Sequence, residues 1–125
     1  MPATEVVIYS EMNGRCPLLE WMDSIPRKAQ DKCLVRIERL KEMGHELRRP
    51  EADTLRDDIR ELRASFMGVH YRILYFFHGQ KAVLSHGLTK ESIVPDKDID
   101  LALRRKWMFA ADPDGHTHIE EETHA

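Results

Sequence analysis

With 125 residues and a formal net charge of −3, the chain has the length of a single domain with a real but modest core. It contains no run of 18 apolar residues, which excludes a membrane-spanning helix, and no basic-then-apolar leader is read at its start, so a cytoplasmic setting is expected. Residues 112–125 hold five carboxylates and neither Lys nor Arg, leaving the rest at +2, so any affinity for nucleic acid must come from a local cluster.

Residues 5–10 (E-V-V-I-Y-S) read as a short strand. Pro17 is placed to open a short helix carrying Leu18, Leu19, Trp21 and Met22, and Pro26 to open a longer one. In the longer helix Ala29, Cys33, Ile37 and Leu40 fall at i, i+4, i+8 and i+11, a single apolar stripe, and Gly44 is its natural stop. Cys16 and Cys33 form no CxxC pair and read as reduced, half-buried thiols. Residues 45–58 are polar and proline-broken and read as loop. Three strands follow at about 59–64, 71–77 and 82–88, the last two joined by a turn at His78-Gly79-Gln80. After Pro95 comes a helix that presents Ile99, Ala102, Leu103 and Trp107 to the core. Its aspartates come first and Arg104, Arg105 and Lys106 later, the order its dipole favours. Residues 111–125 read as an acidic, mobile tail, so the domain is drawn at 1–110. The order β-α-α-β-β-β-α implies an α+β fold, a small antiparallel sheet with helices packed on one face.

Cations stand where a plain hairpin does not require them. Strand alternation puts Glu61 and Arg63 on one face of their strand, and Arg72 with Leu74 and Phe76 on one face of the next. Leu84, His86, Leu88 and Lys90 share a face of the last strand if it is regular. An arginine inside so apolar a strand is costly to bury unpaired, so Arg72 is expected on an open surface, with Tyr71, Ile73 and Tyr75 turned to the helices. Several cations on that surface suit a phosphate chain. Each has a plainer alternative: Arg63 and Arg72 paired with Glu61 and Asp58, His86 structural, Lys90 merely solvated, the aromatics simply core. His116, His118 and His124 offer no fixed fourth ligand, and neither a metal nor another cofactor is expected.

E-L-R (61–63), Y-R-I-L-Y-F-F (71–77), H-G-L-T-K (86–90) and A-L-R-R-K (102–106), in that order, resemble the RelE/ParE superfamily of type II toxins. With K-C-L-V-R-I-E-R-L (32–40) and G-H-E-L-R-R-P (44–50) they are most similar to its HigB-like, phage-derived-protein-like branch. That branch often has Asp-Gly before the second strand and an aromatic before E-L-R, where this chain has Asp57-Asp58 and Arg60. The resemblance implies a RelE-like fold and a metal-independent endoribonuclease that cleaves mRNA, commonly on the ribosome, through attack of a 2′-OH on the adjacent phosphate. It implies a cognate antitoxin, a small helix-turn-helix protein, and a free toxin that is a monomer or homodimer. In such an enzyme Arg63 and Arg72 suit the scissile phosphate, because a guanidinium binds its oxygens bidentately and stays charged. Lys90 would stabilise developing charge or act as base, and His86 would protonate the 5′-oxygen. Arg60 joins Arg63, Arg72 and Lys90 as an RNA contact, and Glu61 orients an arginine. Two other functions stay open: a ParE-like DNA gyrase inhibitor, and an inactive relative kept for antitoxin binding, to which Asp58 and Arg60 would point.

Overall fold

Five strands form one mixed sheet in the computed structural model, which describes residues 3–89 and 93–119. They are β1 (Val6–Ile8), β2 (Ala52–Thr54), β3 (Arg60–Phe66), β4 (Val69–His78) and β5 (Lys81–Thr89), in the order β1-β5-β4-β3-β2. From β2 to β5 every pairing is antiparallel, as expected. β1 departs from that pattern and joins β5 in parallel, with Val6 opposite Ala82 and Ile8 opposite Leu84. No hairpin turn links β1 to its partner, so nothing local in the sequence fixes its direction. β2 replaces part of the expected loop; its Ala52 is buried opposite Leu62 while Asp53 turns outward, an alternation too short to register as a strand.

Helices α1 (Pro17–Ser24) and α2 (Arg27–Met43) cover one face. The expected stripe of Ala29, Cys33, Ile37 and Leu40 is buried there, against Leu62, Ala64, Tyr71, Ile73 and Tyr75. Both cysteines are buried free thiols. Gly44, at φ +56°, stops α2 in a conformation that L side chains rarely adopt. The Trp21 ring lies on Gly87, whose missing side chain makes the space it fills.

The third helix, α3 (Asp96–Ala111), covers the opposite face, which corrects the expectation of helices on one face only. Ile99, Ala102 and Phe109 pack with Leu74, Phe76 and Val83. The reason lies in β4, where Ile73, Leu74, Tyr75 and Phe76 are apolar on both faces, so both must be covered. Trp107, expected in the core, is 69% exposed, and Phe109 and the stem of Arg105 are buried instead. Nor does the chain leave the body at residue 111. A 3-10 turn at Asp114–His116 brings Thr117 into a bridge with Tyr9, and buried His116 stacks on the Tyr9 ring at 5.0 Å. Residues 120–125, including His124, lie outside the described part. Among the described residues no helix is long and apolar enough to cross a membrane.

Candidate functional site, a cationic groove beside helix α3

The register of β3 against β4 sets Arg63 opposite Arg72 and Glu61 opposite Leu74, all on the face that α3 covers farther along. Before α3 begins, Ile93 and Val94 pass over this end of the sheet, with Val94 in the same apolar cluster as Leu88. Between that segment and β2 lies a hollow of about 310 Å³. Its polar lining is Arg49, Asp53, Glu61, Arg63 and Arg72, and Leu55, Ile93 and Val94 complete the walls.

The two strand arginines differ in their surroundings. Nη1 of Arg72 donates to Oε1 of Glu61 at 2.5 Å, and the two side chains are 11% and 4% exposed. Arg72 therefore sits in a largely buried ion pair rather than on the open surface expected, with its Nε buried and unpartnered among the described residues. Arg63 is held by its main chain: its N–H donates to the Glu51 carbonyl at 2.8 Å, and its carbonyl accepts from Arg36 Nε at 2.7 Å. Its guanidinium forms no ion pair or hydrogen bond with any described residue, and Asp58 is not its partner. Arg49 reaches the groove from the turn before β2 and pairs with Asp53 at 2.7 Å. The hydrogen bond from Arg49 is the main cause that holds the Asp53 carboxyl below its ordinary range, and among the described residues the lining comprises three guanidiniums and two carboxylates.

Other expected site residues fall elsewhere. Arg60 is on the α2 side of the sheet, opposite Tyr75, with its guanidinium 5.2 Å from the centre of the Phe77 ring and Nη1 donating to the His45 carbonyl. Lys90 lies outside the described residues. β5 is not regular: Leu74 faces His86 but Tyr75 faces Leu84, so Ser85 is an extra, bulged residue. The bulge switches parity, turning Leu84 to α1 and α2 while His86 and Leu88 face α3. His86 is 7% exposed, does not line the groove, and uses both ring nitrogens, Nδ1 with Ser85 Oγ at 2.8 Å and Nε2 with Asp98 Oδ1 at 3.1 Å. It fastens the first turn of α3 to β5, while Arg56 fastens the same turn to the β2–β3 loop through Asp96 and Asp100.

Burial is the main cause that pushes the His86 imidazole below its ordinary value, partly opposed by the hydrogen bond to Asp98. The unfolded chain, near the ordinary value of about 6.5, then takes up the proton more readily than the folded one. The stability tied to neutral His86 is complete above about pH 6.5 and is lost as the pH falls through the folded value. The advantage in melting temperature of wild type over His86→Gln is therefore expected to shrink between about pH 7 and pH 5, with the wild type falling more steeply. Parallel slopes would mean that His86 is not the group whose protonation weakens the fold.

Local sequence patterns do not single out Arg49 and Asp53, although Arg49 stands inside G-H-E-L-R-R-P, a segment that carries the toxin resemblance. A family model described as "Phage derived protein Gp49-like (DUF891)" matches residues 20–107, a span that includes every residue lining the groove. No curated protein matches the chain significantly.

Proposed function

The chain belongs to the Gp49-like family of phage-derived proteins, associated with RelE/HigB-type toxins, and from that premise we propose that it is a HigB-like mRNA endoribonuclease, the toxin of a type II toxin–antitoxin system. The observation that carries this reading is the Arg63 guanidinium, without a carboxylate partner among the described residues, in a hollow that Arg49 and Arg72 also line. RNA brings its own nucleophile. The 2′-hydroxyl gives its proton to solvent as its oxygen attacks the adjacent phosphorus. The bond to the 5′-oxygen breaks and that oxygen takes a proton from solvent, and the products are a 2′,3′-cyclic phosphate and a 5′-hydroxyl. Charge builds on the non-bridging oxygens of the phosphorane-like state, where a preorganised guanidinium contributes most. Arg63 supplies that contact directly. Arg72, with Nη1 fixed by Glu61 and Nε buried, offers Nη2 to the same phosphate. His86 has no part in the chemistry on this reading.

An antitoxin, in this proposal a small helix-turn-helix protein, silences the toxin by covering the groove, and co-expression of the two yields a complex that elutes as one species. The direct test is to induce the chain alone in a bacterium and pulse-label. Early loss of protein synthesis with cut transcripts is the expected result. Early loss of DNA synthesis would indicate a gyrase inhibitor instead, and unchanged growth an interaction module. Among the described residues no group of three His, Cys, Asp or Glu side chains converges as a metal site. Cleavage is accordingly expected to survive a chelator that leaves ribosomal magnesium in place. Activity that vanishes and returns with zinc or manganese would transfer the charge-stabilising role from the arginines to a metal.

A further inference from the structure

The groove does not end at Arg49. A second hollow, of about 450 Å³, wraps the edge strand β2 and shares Arg49 and Asp53 with the first. Arg48, Arg60 and His45 line its far side. Among the described residues the two hollows together gather five guanidiniums and two carboxylates, in a chain whose overall charge is −3. Neither Arg48 nor Arg60 has a carboxylate partner among the described residues. Beside Arg60 stands an aromatic step: the His45 ring stacks on Phe77 at 3.6 Å between centres and 16° between planes, and His45 is exposed. Phe77 thus backs one face of the imidazole and leaves the other for a ligand.

We propose that these two hollows are one track for single-stranded RNA, with the scissile phosphate at Arg63 and the flanking nucleotides carried round β2 by Arg49 and Arg48 to a base stacked on His45. The proposal relies on the nuclease reading only for which phosphate is cut. A flat aromatic ring flanked by guanidiniums is the combination that grips single strands without reading sequence, because every base has a face to stack and every nucleotide a phosphate to neutralise. An acidic protein segment would be attracted by the arginines but has no use for the stacking step.

The test measures binding without cleavage, using the purified full chain and fluorescent 2′-O-methyl oligonucleotides, which lack the nucleophile. An eight-nucleotide strand is expected to bind at least about tenfold more tightly than a dinucleotide, since only the longer one reaches the second hollow. His45→Ala should weaken the longer strand about tenfold and leave the dinucleotide unchanged. Arg48→Ser should lower the dependence of affinity on salt by about one phosphate contact. Both positions are exposed, and a thermal melt confirms that the variants fold. Absence of oligonucleotide binding, or His45→Ala and Arg48→Ser variants that bind the long strand as the wild type does, would overturn the track. So would polyglutamate binding as tightly with no response to His45→Ala, which would assign the surface to an acidic partner protein. If the expected pattern appears but unmodified RNA stays intact, the nuclease reading fails and the track stands; cleavage without the pattern has the reverse meaning.

Discussion

Arg72→Ala is expected to lower stability by about 2–3 kcal/mol, which in a domain of this size lowers the melting temperature by roughly 10 °C. The charge removed matters less than the charge left behind. Glu61 is 4% exposed and takes its side-chain hydrogen bond from Arg72, so truncation strands a carboxylate under the Ile93–Val94 segment. Arg72→Met combined with Glu61→Gln removes both charges and should regain most of the loss, the pattern expected where a buried pair is worth little net but is expensive to break. An Arg72→Ala protein that melts like wild type would show the pair to be incidental. The double variant also separates structure from activity: stable but inactive protein means that Arg72 touches the phosphate as well.

Arg63→Ala should behave in the opposite way. Its head carries no internal partner among the described residues, so the melting temperature should move by no more than about 2 °C, within the range of surface substitutions. Cleavage should fall about 10²- to 10³-fold, equivalent to about 2.7–4 kcal/mol of transition-state stabilisation. Arg63→Lys should recover little, because an ammonium cannot form the two parallel hydrogen bonds of a guanidinium. Toxicity and cleavage are measured on the same preparations that are melted. A variant that is folded and fully active would remove Arg63 from the site.

The helices and the hairpin are legible in the sequence because their signals are local. Pro17 and Pro26 mark helix starts, the four-residue stripe of α2 repeats its own period, and Tyr71, Ile73 and Tyr75 alternate as a strand against a covered face. What is not legible depends on contacts far apart in the chain. The parallel docking of β1, the second covered face under α3, and the return of His116 to Tyr9 have no short-range signature. The site shows the same division. Parity places Glu61, Arg63 and Arg72 on one face correctly, yet the burial of Arg72 follows from what lies above it, which alternation does not report. Parity groups Leu84 with His86 and Leu88, but one bulged residue, Ser85, switches the alternation of β5 and turns Leu84 to the other face. His86 does share the face of Arg72, and it lies outside the groove because it is bound to Asp98 of α3, a contact that parity does not report. Residue type alone groups Arg60 with the other cations, although an even step from Leu62 puts it on the opposite face.

The central claim, a nuclease that uses the 2′-hydroxyl of its substrate and the Arg63 groove, is tested most directly by the chemistry of the ends it makes. Purified wild-type chain and Arg63→Ala are each added to a bacterial translation extract, and the ends of new mRNA fragments are analysed. Fragments with 2′,3′-cyclic phosphates and 5′-hydroxyls are expected from the wild type, and at least about 100-fold fewer of them from Arg63→Ala. Fragments carrying 5′-phosphates, or transcripts left intact by the wild type, would contradict the claim.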